Sequence, residues 1–349
     1  MPKLLYHYFS PEGLKKNKPV SNSSRLVLKE AEKCGIAWHI TPGTQIITLT
    51  YRGEEKSYYH QVPSSTTALA KYACNNKQIT INLLRQAGIT VPRGYRIKSV
   101  DSTEYCRKIF DELQKPLVVK PTNGTWGENI TVNITTFAEF VKAIEVAQTY
   151  AHKDRTHIIA EEMFSGDEYR VLLTQKKVIG ILKRVPANVI GNGTDTIKKL
   201  IIEKNKEPIR GNKNEPTSHL KIRMDTQLKK NLIKQGLTLE SVPPESKRIF
   251  LRSVSNISQG GDAIDVTDQA HPSVSEIALK AINALPGLSF AGLDFMTKDI
   301  TKPQKSTDYV IIEINDSPGF DIHDYPYKGK NRHAARAFLE LIFPNLEKN

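Results

Sequence analysis

The sequence is poor in cysteine and has no long apolar run. Its three cysteines, Cys34, Cys74 and Cys106, are odd in number and form no Cys-x-x-Cys pair, which argues against a disulfide framework and against a zinc site. The first residues, MPKLLYHYFS, lack the apolar segment of a signal peptide, and no apolar run approaches the length that spans a bilayer. We therefore expect a cytoplasmic protein with no membrane partner.

The chain carries a formal net charge of +13 at pH 7, which raises the question of nucleic-acid binding. Its basic residues are scattered, for example over 15–18, 204–213 and 328–332. No helix-turn-helix, zinc-finger or aromatic–basic sheet pattern accompanies them. We favour a solvated basic surface or a site for anionic small molecules, with no nucleic-acid partner, and keep a basic nucleic-acid-binding protein as an alternative. The sequence leaves a homo-oligomer open.

Helix and strand patterns alternate along the 349 residues, which indicates an α/β (α+β) fold with more than one core. A helix is predicted over 21–35, which starts at capping Ser and Asn residues and stops at Gly35. Closing strands are predicted around 289–297 and 308–315, and a terminal helix over 331–342. The predicted lobes are an N-terminal α/β lobe (1–92), a central lobe with a glycine-containing loop (93–167) and a C-terminal lobe (168–349).

Glu313 and Asn315 interrupt the apolar strand VIIEIN with an alternation that places both side chains on one face. In SFAGLDFMTK, Asp294 lies on the polar face of another strand. If the two strands are neighbours, three hard oxygen ligands meet, and Mg²⁺ bound to a nucleotide takes few such protein ligands. We predict a magnesium site formed by Asp294, Glu313 and Asn315. The alternative is the exposed face of a hairpin without a function.

Lys120 ends the apolar strand LVVK and precedes a loop that contains Gly124 and Gly127. A lysine at a strand end can pair with phosphates, and glycines let backbone N–H groups approach phosphate oxygens. Neither a Walker motif nor a dinucleotide fingerprint occurs. We predict a nucleotide-phosphate site here, with a plain hairpin loop as the alternative.

In the segment HIIAEEMFSGDEYRV, an apolar run predicted to be a buried strand leads into Glu161, Glu162 and Met163, and Glu168 comes five residues later. Backbone groups and an apolar wall suit a base, and a carboxylate suits ribose hydroxyls. We predict nucleotide contacts from these four residues, with a solvated linker as the alternative.

In their order and spacing, Lys77, Lys120, the linker EEMFSGDE and the three metal-site residues resemble the ATP-grasp superfamily. The segments 183–211 and 250–285 are similar to the ATP-grasp module of bifunctional glutamate-cysteine ligase/glutathione synthetase and of cyanophycin synthetase. The resemblance covers essentially the whole chain and is most specific over 160–316. It implies an ATP-grasp fold with three lobes and ATP between the central and C-terminal lobes.

The resemblance also implies a reaction. ATP phosphorylates a substrate carboxylate, and an amine displaces phosphate from the acyl phosphate to leave an amide. The implied cofactors are ATP and Mg²⁺, and the implied partners are small-molecule carboxylates and amines, such as amino acids or peptides. The implied roles are α- and β-phosphate binding by Lys77 and Lys120, further nucleotide binding by Lys183, an adenine pocket at Glu161 to Met163, ribose binding by Glu168, and magnesium binding by Asp294, Glu313 and Asn315.

Arg184 and Arg252 are predicted catalytic clamps, because guanidinium is permanently charged and binds phosphate or carboxylate through two hydrogen bonds. The alternative for each is an ordinary surface ion pair. The segment SNISQGGD contains Ser258, Gly260 and Gly261, which we predict to bind substrate by cradling the acyl phosphate. A simple turn is the alternative.

The sequence departs from the resembled enzymes after the metal site, where Asn315 is followed by Asp-Ser-Pro-Gly instead of the usual Phe-Asn-Pro-Ala. Because this loop faces the acceptor, the amine specificity is open. His323 and Asp324 are candidate substrate contacts, and a structural role is the alternative for His323. With no glutamate-cysteine ligase module in front of the lobes, we expect any γ-glutamylcysteine to come from elsewhere. A cyanophycin-synthetase-like amino acid or peptide ligase and a kinase-like or inactive nucleotide-binding relative stay as alternatives.

Overall fold

The computed structural model describes residues 20–98, 102–122, 129–151, 157–213 and 215–347. These residues form ten α-helices and seventeen β-strands, arranged in three antiparallel sheets and two short strand pairs. In this part of the chain no helix combines the length and the hydropathy needed to cross a membrane.

The N-terminal elements are one helix and a four-stranded sheet in the order β1-β2-β3-β4. Their bounds are α1 (Asn22–Lys33), β1 (Ala37–Ile40), β2 (Ile46–Tyr51), β3 (Glu54–Tyr59) and β4 (Val62–Pro63). Helix α1 begins after Ser21, whose hydroxyl oxygen accepts the Ser24 N–H at 3.1 Å, and ends before Gly35, which has a φ of +67°. The predicted helix over 21–35 is confirmed.

Two short helices, α2 (Ala68–Cys74) and α3 (Lys77–Gln86), follow. The Asn76 side chain caps α3 by accepting the N–H groups of Gln78 and Ile79 at 3.1 and 3.3 Å. Apolar residues of both helices share a core with the C-terminal sheet described below. The lobe boundaries after residues 92 and 167 stay predictions.

The central lobe is a sheet in the order β5-β8-β6-β7 with two helices on it. Its elements are β5 (Gly94–Ile97), α4 (Thr103–Glu112), β6 (Leu117–Pro121), β7 (Thr131–Ile134), α5 (Phe137–Ala151) and β8 (Ile158–Glu162). Phe110 of α4 and Phe140 of α5 meet at 5.4 Å between ring centroids and form a core with the sheet that is separate from the other cores.

The C-terminal lobe begins with a hairpin and continues into a small subdomain over 186–251. The hairpin is β9 (Asp167–Thr174) and β10 (Val178–Val185), and the subdomain elements are β11 (Asn188–Ile190), α6 (Ile197–Lys204), β12 (Arg210–Gly211), β13 (His219–Leu220), α7 (Thr226–Ile233) and β14 (Arg248–Phe250). Strand β11 pairs with β14, and β12 with β13. The subdomain has its own apolar core, which includes Leu232 and Ile249.

The remaining elements complete a five-stranded sheet in the order β15-β10-β9-β16-β17. They are β15 (Asp262–Asp265), α8 (Pro272–Asn283), β16 (Phe290–Thr297), β17 (Tyr309–Asn315), α9 (Asp321–Asp324) and α10 (Ala334–Ile342). Helices α2, α3 and α8 cover one face of this sheet. At one end of the other face, Phe290 contacts Phe338 of α10, with ring centroids 5.0 Å apart. The opposite end of that face is where the charged residues lie.

Candidate active site

One face of the C-terminal sheet carries a cluster of five charged side chains, here called the charged cluster. Asp294 in β16 lies opposite Arg170 in β9 and Glu313 in β17, and Glu168 in β9 lies opposite Arg184 in β10. Because side chains alternate along a strand, all five project from the same face. The apolar residues between them face the core on the other side.

The two arginines bind two of the carboxylates. Arg170 donates from Nε to Oδ1 of Asp294 at 2.7 Å, and Arg184 donates from Nη1 to the same oxygen at 3.2 Å. The same Nη1 lies 2.7 Å from Oε1 of Glu168. Burial raises the pKa of Glu168 above its ordinary value, with Arg184 acting in the opposite direction. Burial lowers the pKa of Arg184, but the carboxylates of Asp294 and Glu168 outweigh it and the net pKa is raised.

Lys77, at the start of α3, reaches the same cluster. Its Nζ lies 3.1 Å from Oε1 of Glu313, and the two side chains are only 11% and 26% exposed. Carboxylates directly opposite each other on neighbouring strands repel. The repulsion between Asp294 and Glu313 must therefore be offset by nearby positive charge, and Lys77 and the two arginines supply part of that charge.

Asn315 lies opposite Gly292 and two residues beyond Glu313, so its side chain shares the face of the charged cluster. Strands β16 and β17 are neighbours and bring Asp294, Glu313 and Asn315 to one face, which is the condition that the predicted magnesium site requires. Among the described residues, no group of three His, Cys, Asp or Glu side chains is arranged to hold a metal ion. Two carboxylates and an amide nevertheless fit Mg²⁺ shared with a nucleotide. Metal binding by these residues stays a prediction.

In the central lobe, Lys120 of β6 forms an ion pair with Glu161 of β8, and the two side chains are 3% and 5% exposed. The second carboxylate oxygen of Glu161, Oε2, is buried and has no hydrogen-bond partner among the described residues. A buried acceptor without a partner is costly. It suits a ligand that brings a donor, such as the amino group of adenine.

Glu162 lies on the opposite face of β8 from Glu161. Its carboxylate accepts the Gln114 N–H at 3.0 Å and lies 3.6 Å from Arg93. Half-buried Met163 donates its N–H to the Pro116 carbonyl oxygen at 2.9 Å. Gly124 and Gly127 lie outside the described residues.

The structure does not bring Lys183 or Arg252 to the charged cluster. Lys183 projects from the opposite face to Arg184 and lies 2.6 Å from Asp167. Arg252 binds Asp225 through two hydrogen bonds of 2.8 and 2.6 Å, and Asp225 is the N-cap of α7. Both side chains form ion pairs away from the charged cluster, and their roles in binding nucleotide or substrate stay predictions.

The glycine loop, residues 255–262, forms a tight turn. The N–H groups of Gly260 and Gly261 donate to carbonyl oxygens of the same loop, those of Ile257 and Asn256, at 3.1 and 3.2 Å. The Ser258 hydroxyl donates to the Asn256 side chain at 2.7 Å. In this conformation the two glycines serve the turn itself, and their contact with substrate stays a prediction.

His323 is fully buried, and in the part of the chain that the structure describes neither ring nitrogen has a hydrogen-bond partner. Burial lowers its pKa to about 3, so the ring is neutral. It packs against Gly180, where a Cβ would lie 2.8 Å from Nδ1. Asp324 accepts the N–H groups of Ala334 and Ala335 at the start of α10. These contacts favour structural roles for both residues.

Sequence reasoning missed two members of this region. Arg170 lies two residues after Glu168, and that spacing in a strand could have placed it on the same face. Ser255 donates its hydroxyl to Glu168, which joins the glycine loop to the charged cluster. No local signal in the sequence indicates that contact.

Known proteins resemble this chain over nearly its full length. It is 36% identical over 323 residues to a cyanophycin synthetase of Trichormus variabilis, covering 93% of this chain and 35% of that protein. It is also 36% identical over 325 residues to the glutathione biosynthesis bifunctional protein GshAB of Clostridium perfringens, covering 92% and 41%. The crystal structure of a bifunctional glutathione synthetase from Pasteurella multocida matches with a TM-score of 0.72 and 29% identity, covering 93% of this chain and 44% of that one. No family model matches the sequence.

The resemblance to the ATP-grasp superfamily that the sequence indicated is confirmed, and so is the fold class predicted from the sequence. Within the superfamily it is similar to cyanophycin synthetase and to bifunctional glutathione synthetase, as the sequence motifs indicated. The chain spans about two fifths or less of the length of these two curated relatives.

Proposed function

We propose that this chain is an ATP-dependent carboxylate–amine ligase that forms an amide or peptide-type bond through an acyl phosphate, with ADP and phosphate as products. The observation that carries the proposal is the charged cluster with Lys77 beside it, in which the lysine and two arginines lie around Asp294 and Glu313 on one sheet face. Phosphoryl transfer depends mainly on positioning and on charge stabilisation, and such a cluster can supply both.

In this proposal the nucleotide lies between the central sheet and the charged cluster. Lys120 and Lys77 bind its phosphates, and Oε2 of Glu161, which has no partner within the described ranges, accepts a hydrogen bond from the base. Asp294, Glu313 and Asn315 would hold Mg²⁺, which when bound neutralises phosphate charge and orients the transferred group.

The arginines provide the anion contacts for the acid substrate. Because guanidinium is permanently charged, Arg170 and Arg184 can bind a carboxylate before transfer and phosphate oxygens after it. The nearness of Arg184 to Glu168 and Asp294 keeps its guanidinium in place. The amine then attacks the acyl carbon, phosphate leaves, and the amine nitrogen loses a proton.

The substrates are an amino acid or peptide carboxylate and an amine. Similarity to bifunctional glutathione synthetase supports a glutathione-type product, and similarity to cyanophycin synthetase supports the ligation of amino acids to a peptide. A cytoplasmic location is part of the proposal, supported by the three cysteines, none of which forms a disulfide within the described residues.

A screen of substrate pairs tests the proposal. Purified protein with MgATP is given γ-glutamylcysteine, amino acids or short peptides as acids, each alone and with an amine, and ADP and product mass are measured. We expect ADP release that requires both substrates and matches the amide formed. ADP release with an acid alone, yielding a stable phosphorylated product that a later amine does not consume, would identify a kinase instead.

A further inference from the structure

A buried ion cluster lies where the subdomain of residues 186–251 meets the five-stranded sheet. Asp262, only 4% exposed, accepts hydrogen bonds from Arg210, from Lys204 at 2.8 Å and from Asn188 at 2.9 Å. The Arg210 side chain is fully buried. Its Nη1 donates to the carbonyl oxygen of Gly260 at 3.1 Å. The subdomain therefore holds the C-terminal end of the glycine loop through charged groups that are fully or largely buried.

The subdomain also contacts the backbone at the end of the glycine loop and just after it. Gly260 has a φ of +93°, and a Cβ on it would lie 2.7 Å from Ile222 of the subdomain. Just after the loop, the Ala263 N–H donates to Nε2 of buried His219 at 3.1 Å. At the other end of the loop, Ser255 donates to Glu168. The loop is thus fixed at one end by the buried ion cluster and at the other by the charged cluster.

The segment that follows Asn315 is attached to the same place. Tyr327 donates its N–H to the Ala263 carbonyl oxygen at 2.8 Å and its hydroxyl to Glu207 at 3.0 Å. Its ring centroid lies 5.2 Å from the Arg210 guanidinium carbon, within the range of a cation–π contact. Arg210 thus holds both segments that the sequence places around the substrates.

We propose that Arg210, Asp262 and Lys204 are positioning residues that hold the glycine loop against the charged cluster and keep water from the acyl phosphate until the amine arrives. The inference rests on the proposed ligase function. If the loop moves, water adds its oxygen to the acyl carbon and phosphate leaves with the C–O bonding pair. The acid is regenerated, a proton is released, and ATP is hydrolysed without formation of an amide.

The test compares Arg210→Met and Arg210→Lys with Leu232→Ala, a core variant of the same subdomain that leaves the buried ion cluster intact. In Arg210→Met we expect amide formation to fall roughly 10- to 100-fold, because small errors of position are costly in a transfer reaction. ADP released per amide should rise well above one, and the KM for ATP should stay near the wild-type value. Arg210→Lys should be intermediate, because it keeps the charge beside Asp262 and loses the fork that reaches Gly260.

Hydrogen exchange of the peptides that cover residues 255–263 gives a second readout, which needs no activity. We expect faster exchange in both Arg210 variants than in Leu232→Ala. Equal exchange in all three variants, or unchanged ADP per amide in a protein whose loop exchanges faster, overturns the proposal. A wild-type protein that makes no amide from any substrate pair refutes the ligase function instead, and exchange alone then decides whether Arg210 fastens the loop.

Discussion

Lys120 and Glu161 show how a buried ion pair affects the stability of the fold. Their ion pair lies in the central lobe with both side chains almost fully covered. Removing one partner of such a pair leaves an uncompensated charge in the interior, which costs about 3 to 5 kcal/mol. Neutralising both partners removes that penalty.

We therefore expect Lys120→Met to lower the free energy of unfolding by about 3 to 5 kcal/mol. The double variant Lys120→Met/Glu161→Gln should regain a large part of the loss. Urea unfolding of the wild type, both single variants and the double variant gives the coupling free energy. A double variant as unstable as Lys120→Met would show that the isolated carboxylate is not the cause.

Asp321 is a second buried carboxyl with a measurable signature. Burial raises its pKa to about 6, and its oxygen accepts a hydrogen bond from Ser23 at 2.9 Å. An aspartate in an unfolded chain titrates near pH 3.9. Between these values the folded protein keeps a proton that the unfolded chain has lost. The stability from this group is therefore full below about pH 4 and is lost as the pH rises through about 6.

Asp321→Asn removes the titration and keeps an oxygen for Ser23. When the pH is raised from 4.5 to 7.5, the free energy of unfolding of the variant minus that of the wild type should therefore increase by about 1 to 3 kcal/mol. Denaturant unfolding at the two pH values measures the gain, with Asp111→Asn, an exposed position, as the control. The same pH response in both variants would rule out Asp321 as the titrating group.

The helices and strands show which structure the sequence could predict. Caps and alternation placed α1, β16, β17 and α10 within a few residues of their observed bounds, because these signals are local. The pairing of β9 with β16 is not local, and it brings Arg170 to Asp294 across 124 residues. Alternation in β10 does show that adjacent Lys183 and Arg184 cannot share a face, so only one of them could join the charged cluster.

Helix α3 carries Lys77 at its first residue, so the N-cap of this helix should matter to nucleotide binding. Asn76→Ala should cost about 1 kcal/mol of stability. It should also raise the KM for ATP, because the first turn that presents Lys77 to Glu313 loosens. Ser102→Ala removes the matching cap of α4, where the Ser102 hydroxyl accepts the Tyr105 N–H at 3.2 Å.

Thermal melting and ATP kinetics of the two cap variants make the comparison. Both variants should lose a similar amount of stability, and only Asn76→Ala should have a raised KM for ATP. Equal KM values for ATP in the two variants would contradict a role of Lys77 in binding the nucleotide.

At the scale of the whole molecule, the helices of the described residues leave the end of the sheet face that carries the charged cluster uncovered. Helix α10 covers one end of the sheet face that carries the charged cluster, and α2, α3 and α8 cover the other face. The central lobe has a core of its own. In the proposed function, the central lobe would hold a nucleotide against the charged cluster without sharing apolar packing with that sheet.

Magnesium-dependent turnover of Glu313→Gln tests the central claim most directly. The substitution keeps the shape and removes the charge that would hold the ion, so transfer should fall by about a hundred- to a thousand-fold, or about 3 to 4 kcal/mol. Asp308→Asn is the control, because Asp308 precedes β17 and pairs with Lys298 at 3.3 Å, away from the charged cluster. It should stay near wild-type turnover, with thermal melting confirming that both variants are folded. If Glu313→Gln matched Asp308→Asn in turnover and in Mg²⁺ dependence, the charged cluster would not be the transfer site.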